Sequence, residues 1–156
     1  MNLTVEKAKE IYPVVPDSFK RELEKEFGVE MFMPDNLDEL TDYEAALELA
    51  KMPDAKKITD IPESLHDYFL KEYKCIVLCK AANQCEKMDI YNSDIRRNYP
   101  YFATCGSPSG FRFVGSGYDY SGALAGSGSR LSVKSEKAGK HLGEKFTKEF
   151  REMLEA

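Results

Sequence analysis

The amino-acid sequence predicts an α+β protein: a mainly helical body with a small antiparallel aromatic hairpin sheet before the C-terminal helix. Three observations carry that prediction. Apolar residues recur at helical spacing as far as Asn83, and again after Ser135. Seven of the ten glycines crowd into the stretch from Gly106 to Gly128. They are interleaved with Phe111, Phe113, Tyr118 and Tyr120, a pattern of short aromatic strands and tight turns. A chain of 156 residues is one domain's worth, long enough to bury ~70% of its extended surface. Residues 1–156 are therefore expected to form a single domain, with 1–38 as an N-terminal helical extension and 39–156 as the core.

The elements follow in order. Residues 4–12 read as a short helix capped by Thr4, which Pro13 and Pro16 forbid from continuing. Asp17 or Ser18 is the expected cap of a second helix, whose Phe19, Leu23 and Phe27 share one face and which Gly28 ends. A third helix spans 38–52, with Leu40, Tyr43, Ala46, Leu47 and Ala50 inward. The fourth starts near Pro62, a favourable first-turn residue, and runs to about Asn83. Its Cys75–Cys79 segment is compatible with helix or strand, and length together with the missing Gly or Pro favours helix.

Beyond Tyr91 the character changes. Residues 98–102 read as an extended aromatic lead-in to a hairpin. Phe111–Val114 and Tyr118–Tyr120 are its expected strands, around a turn at Gly115-Ser116-Gly117. Residues 129–133 are a candidate third strand after a turn at Gly126–Gly128. The last helix begins near Ser135 with Glu136 in its first turn, and buries Leu142, Phe146, Phe150, Met153 and Leu154. Gly139 and Gly143, four apart, would let another element approach closely.

Charge narrows the function. The net charge is −5, but residues 1–90 carry 12 Lys/Arg against 20 Asp/Glu while 91–156 carry 10 against 7. That balance speaks against a general duplex-DNA binder and leaves room for a local anion site in the second half. The N-terminus lacks the basic-then-apolar pattern of a secretion signal, and no apolar run approaches the roughly 20 residues needed to span a bilayer. A cytoplasmic protein with reduced cysteines is expected, not a membrane one.

Catalytic and metal chemistry find little support in the residues. Cys75, Cys79 and Cys85 lack the paired spacing of structural zinc sites, so they read as core packing, with no metal and no cofactor expected. Cys105 is the only cysteine beside the glycine-rich segment and His141 the only nearby base, but His141 reads as a surface histidine on a lysine-rich helix. An enzyme is not expected.

Binding is better supported. Gly126-Ser-Gly128-Ser-Arg130 precedes a helix, with Lys134 close behind, and glycine-turn N–H groups beside a helix start can cradle an anion. No Walker loop and no G-x-G-x-x-G occurs. Tyr99, Tyr101, Tyr118 and Tyr120, with Arg112 and Arg130, form a candidate recognition face. Tyrosine, serine and glycine suit adaptable binding surfaces, and aromatics with arginines suit stacking on single-stranded bases. Phe111 and Phe113 alternate with Arg112 and are expected to pack inward.

Several motifs taken together resemble a known group. They are Asp42-Tyr-Glu-Ala-Ala46, Tyr73 to Asn83, Tyr99-Pro-Tyr-Phe102, Ser109-Gly-Phe-Arg-Phe113, Gly128-Ser-Arg-Leu131 and Phe146-Thr-Lys-Glu-Phe150. The pattern is similar to small uncharacterised proteins carried by phages and prophages of gut bacteria, and covers residues 40–156. Members usually carry a tryptophan near the middle aromatic motif, whereas this chain has none. The resemblance implies a bacterial host cell as the setting. The expected function is that of a non-enzymatic accessory protein, inhibiting host machinery or serving as a minor assembly component. Its partner would be a protein bound through the Gly/Tyr-rich surface 99–130. The alternative is a binder of a nucleotide, small anion or single-stranded nucleic acid at the turn and helix start of 126–134. A homo-oligomer is compatible with either.

Overall fold

The computed structural model describes residues 3–28, 31–32, 35–57, 59–86, 91, 96–120 and 131–156, with Asp119 and Tyr120 as backbone only. Two compact units divide the chain, Met1–Asp35 and Asn36–Ala156. In the first, helix α1 (Val5–Ile11) starts where Thr4 Oγ1 accepts from the Lys7 N–H at 3.3 Å. Helix α2 (Asp17–Phe27) is not capped by Asp17 or Ser18. Pro16 holds the cap position, and Asp17 sits in the first turn, where its carboxylate faces the helix dipole. Gly28 ends α2 with φ 89°. Aromatic packing defines this unit: Tyr12 stacks on Phe32 at 4.3 Å between centroids, and Phe27 meets Phe32 edge-on at 6.4 Å. The Tyr12 hydroxyl donates to the Glu24 carboxylate, a bond that raises the phenol's pKa.

The second unit is built around helix α4 (His66–Ala82), entered through a single 3₁₀ turn at Glu63–Leu65. Segment 74–79 is thus helical. Cys75, Val77, Leu78, Cys79, Ala81 and Ala82 are all buried, so the back half of α4 is enclosed on nearly every side. Against it lie α3 (Tyr43–Ala50), α5 (Glu136–Lys145) and α6 (Thr147–Leu154). Helix α3 is shorter than its apolar pattern because Asp42 caps it, its carboxylate accepting from the Ala45 N–H at 2.8 Å. Leu40 still enters the core, but from the turn before the helix.

The expected terminal helix is two helices. Ser135 caps α5 by accepting from the Ala138 N–H at 3.1 Å, and the chain breaks at Phe146 (φ −116°, ψ 29°) before α6. That break turns Phe146 and Phe150 into the core together, each 3% exposed.

Strands β1 (Arg96–Ala103) and β2 (Arg112–Tyr120) make an antiparallel two-stranded sheet. The antiparallel aromatic sheet is present, but the two strands expected at 111–114 and 118–120 are one strand, β2, paired with the 96–103 segment, and no turn falls at Gly115–Gly117. Those glycines lie mid-strand in β2, opposite Tyr101 and Tyr99. Residues 104–111 reverse the chain instead, through Cys105 (φ 48°), Gly106 (φ 71°) and a short 3₁₀ turn at Pro108–Gly110. A register shift beside Tyr101 leaves Val114 as the extra residue of a β-bulge. Asn98 exchanges both backbone bonds with Val133 (2.9 and 2.7 Å), so its polar groups point away from β2. Pro100 lies on the same side two residues on, where its missing N–H deprives the β1–β2 ladder of nothing.

One face of the sheet packs on α5. A Cβ built on Gly139 would fall 2.3 Å from Ser116 Oγ, and one on Gly143 would fall 2.1 Å from the Phe113 ring. The two glycines therefore admit the strand where a side chain would hold it off. Phe102 joins this face to the core, stacked on Phe111 at 5.0 Å and against Phe150 at 5.7 Å. Asn83, 4% exposed, ties α4 to the incoming chain: its amide donates to the Ser132 carbonyl and its Oδ1 accepts from the Lys134 N–H, both at 3.0 Å.

Candidate functional site

The sheet's other face carries two of the four candidate tyrosines, Tyr99 half-buried and Tyr101 exposed. Directly opposed residues share a face, so Tyr99 lies with Gly117, and Tyr101 with Gly115. A Cβ on Gly117 would be 3.0 Å from the Tyr99 ring, and one on Gly115 would be 3.6 Å from the Tyr101 ring. Each tyrosine therefore reaches across the ladder and covers the spot where its partner lacks a side chain. Tyr101 is 47% exposed and the bulged Val114 beside it 49%. Arg112, opposite Ala103, stands exposed at the end of the same face, its Nη1 2.9 Å from Cys105 Sγ.

The remaining candidate residues are placed elsewhere. Tyr118 opposes Asn98 and so belongs to the α5 side. It is 51% exposed there, with the Arg96 guanidinium 4.7 Å from its ring centroid. Lys134 is only 13% exposed, and its ammonium lies 3.3 Å from the Glu86 carboxylate. Arg130, the Gly126–Arg130 turn and the Tyr120 side chain lie outside the described residues. The seven candidates thus contribute Tyr99, Tyr101 and Arg112 to one face, while Tyr118 and Lys134 belong to other surroundings.

A neighbouring feature escaped the sequence reading. Thr104, Gly106, Ser107, Pro108 and Phe111 line an open apolar depression of about 450 Å³ with Phe102, Leu154 and Glu155. Leu154, expected in the core, is 60% exposed at its rim. The Cys-Gly-Ser-Pro-Ser-Gly run signalled a turn, but nothing in it signalled that the turn would lie beside the end of α6.

The nucleophile candidates have structural partners. His141 Nε2 lies 2.8 Å from the Leu40 carbonyl, which makes it a half-buried tie between α5 and the segment before α3 and not a surface histidine. Cys105 Sγ meets Arg112, and Cys85 Sγ lies 3.1 Å from the Leu49 carbonyl. Cys75 and Cys79 are fully enclosed; burial pushes the Cys75 thiol up to about 12 and the Cys79 thiol higher still, so both are neutral packing groups. Burial, followed by nearby Asp54, raises Tyr43 to about 12. At the start of α5, the Lys140 ammonium at 2.6 Å holds the Glu136 carboxyl below its ordinary value, with a smaller contribution from Arg96. Among the described residues no three His, Cys, Asp or Glu side chains are placed to share a metal ion, and no helix is long and apolar enough to cross a membrane.

Charge along the chain sharpens the picture. From Ile95 to Tyr118 there are three arginines and no acidic residue, and from 95 to 135 five Arg/Lys against Asp119 alone. Residues 1–94 carry 21 Asp/Glu against 12 Lys/Arg. The sheet therefore comes from the cationic part of an acidic chain. Comparison with protein-family models, curated proteins and solved structures gave no match.

Proposed function

We propose that the chain is a binding module, not an enzyme, and that it engages a macromolecular partner across the outer face of the β1–β2 sheet. One observation carries this reading: Tyr99 and Tyr101 are laid over Gly117 and Gly115 on the face turned away from α5. Aromatic rings recruited for the core would point the other way, as Phe102 and Phe113 do. Rings displayed over glycines present large, stiff contact area at little entropic cost. Arg112 supplies a charged edge and Val114 an apolar one.

The setting implied by the sequence resemblance is a phage or prophage accessory protein acting inside a bacterial host. Immobilised protein incubated with host lysate should then retain a specific partner, whether protein or nucleic acid. Tyr101→Glu should abolish that retention, and Lys148→Ala on the exposed side of α6 should preserve it. Equal retention by wild type and Tyr101→Glu would refute the assignment of this face.

A further inference from the structure

We infer that the partner of the Tyr99/Tyr101 face is a single-stranded nucleic acid, whose bases stack on the two rings and whose phosphates meet Arg112. The inference rests on the binding face proposed above and names the chemistry that fits it. Tyr99 and Tyr101 are two residues apart on β1, which separates their rings by about 7 Å. Bases stacked in a duplex rise only about 3.4 Å per step, so neighbouring bases can occupy both rings only once unstacked from each other. An unpaired strand meets that condition and a duplex does not. Aromatic side chains on an open sheet bind unpaired bases in this way in other folds.

Charge selects a polyanion over a peptide. The sheet segment 96–120 holds three arginines and a single carboxylate, Asp119, which stands opposite Arg97 at the far end of the sheet from Arg112, while residues 1–94 are strongly acidic. The cationic sheet segment attracts a phosphate chain, whereas the acidic residues 1–94 disfavour one. A basic peptide would meet that one carboxylate position on this face, at the end of the sheet away from Arg112. Arg97, on this face by register, is only 4% exposed, so Arg112 is the arginine that can reach a phosphate among the described residues. Few phosphate contacts imply a modest salt dependence.

The test is fluorescence anisotropy of the full chain with labelled oligothymidylate and oligouridylate of about ten nucleotides, within the range of single-strand site sizes. Binding is expected for the single strands and should be absent or much weaker for a duplex of the same length. Tyr101→Ala should weaken it about tenfold, and Tyr101→Phe, which keeps the stacking ring, should restore it. Arg112→Ala should weaken it and reduce the salt slope by about 0.7. No binding of either oligonucleotide at low salt would overturn the inference, as would affinity unchanged in both Tyr101→Ala and Arg112→Ala. Displacement of the oligonucleotide by a proline-rich peptide that binds more tightly would assign the face to peptides instead. If no oligonucleotide binds yet Tyr101→Glu still abolishes retention of a lysate protein, the nucleic-acid class is wrong and the face stands. If Tyr101→Glu changes neither, both fail.

Discussion

Gly139 and Gly143 are where single atoms decide the packing. Replacing glycine by alanine inside a helix ordinarily stabilises it by about 1 kcal/mol. Here the sign should reverse. At Gly143 the new methyl would fall 2.1 Å from a ring carbon of Phe113, a rigid neighbour held between Phe102 and the helix. Gly143→Ala should destabilise by about 1–3 kcal/mol, read from the denaturant midpoint. At Gly139 the nearest atom is the Ser116 hydroxyl, so Gly139→Ala should cost less, and Ser116→Ala should recover part of the loss in a double-mutant cycle. Stabilisation by Gly143→Ala would show that the sheet does not press on α5 there. The four-residue spacing of these glycines was legible in the sequence; which residues would fill the gap was not, because Gly115-Ser116-Gly117 reads locally as a turn.

Among the elements, α4 and β2 show what local pattern can and cannot decide. Cys75-Ile-Val-Leu-Cys79 has no intrinsic preference between helix and strand, and it became helix because its flanks continue the helical stripe through Tyr68, Phe69 and Ala82. Gly115-Ser-Gly117 reads locally as a turn, and it is strand here because it pairs with β1, whose Tyr101 and Tyr99, distant in sequence, occupy the space above the two glycines. That is a tertiary cause which local sequence does not carry. Enclosing two thiols on α4 also has a measurable consequence. The Cys75 thiol and the Tyr43 phenol both ionise near 12 in the fold, against ordinary values of 9.0 and 10.0. A raised acid pKa means the folded state requires the neutral form. Its stabilising effect is complete below about pH 9 and lost as pH climbs towards 12. Stability should fall by more than about 1 kcal/mol between about pH 8 and 11, and less steeply in Cys75→Ala, as read from urea midpoints. A flat profile in wild type would contradict the burial of these groups.

At the scale of the whole molecule, the division at residues 35 and 36 separates two sets of packing. The core residues from Leu37 to Met153 all belong to the second unit, as do the sheet and its tyrosines. A chain starting at Asn36 should therefore fold cooperatively and keep the binding face; circular dichroism and denaturant titration test this, and a non-cooperative melt would show that the first unit is required. The α+β class, the helical body and the aromatic hairpin were legible in the sequence from periodicity and composition. The partition of the tyrosines was not, since it depends on the register that pairs Tyr118 with Asn98 and Tyr99 with Gly117.

The most direct measurement is fluorine NMR of the protein with its nine tyrosines fluorinated, followed as the partner recovered from lysate is added. The resonances of Tyr99 and Tyr101 should shift and broaden together, while those of Tyr12 and Tyr68 stay in place. Shifts confined to Tyr68, on the exposed start of α4, with Tyr99 and Tyr101 unmoved, would contradict the assignment of the sheet face as the binding surface.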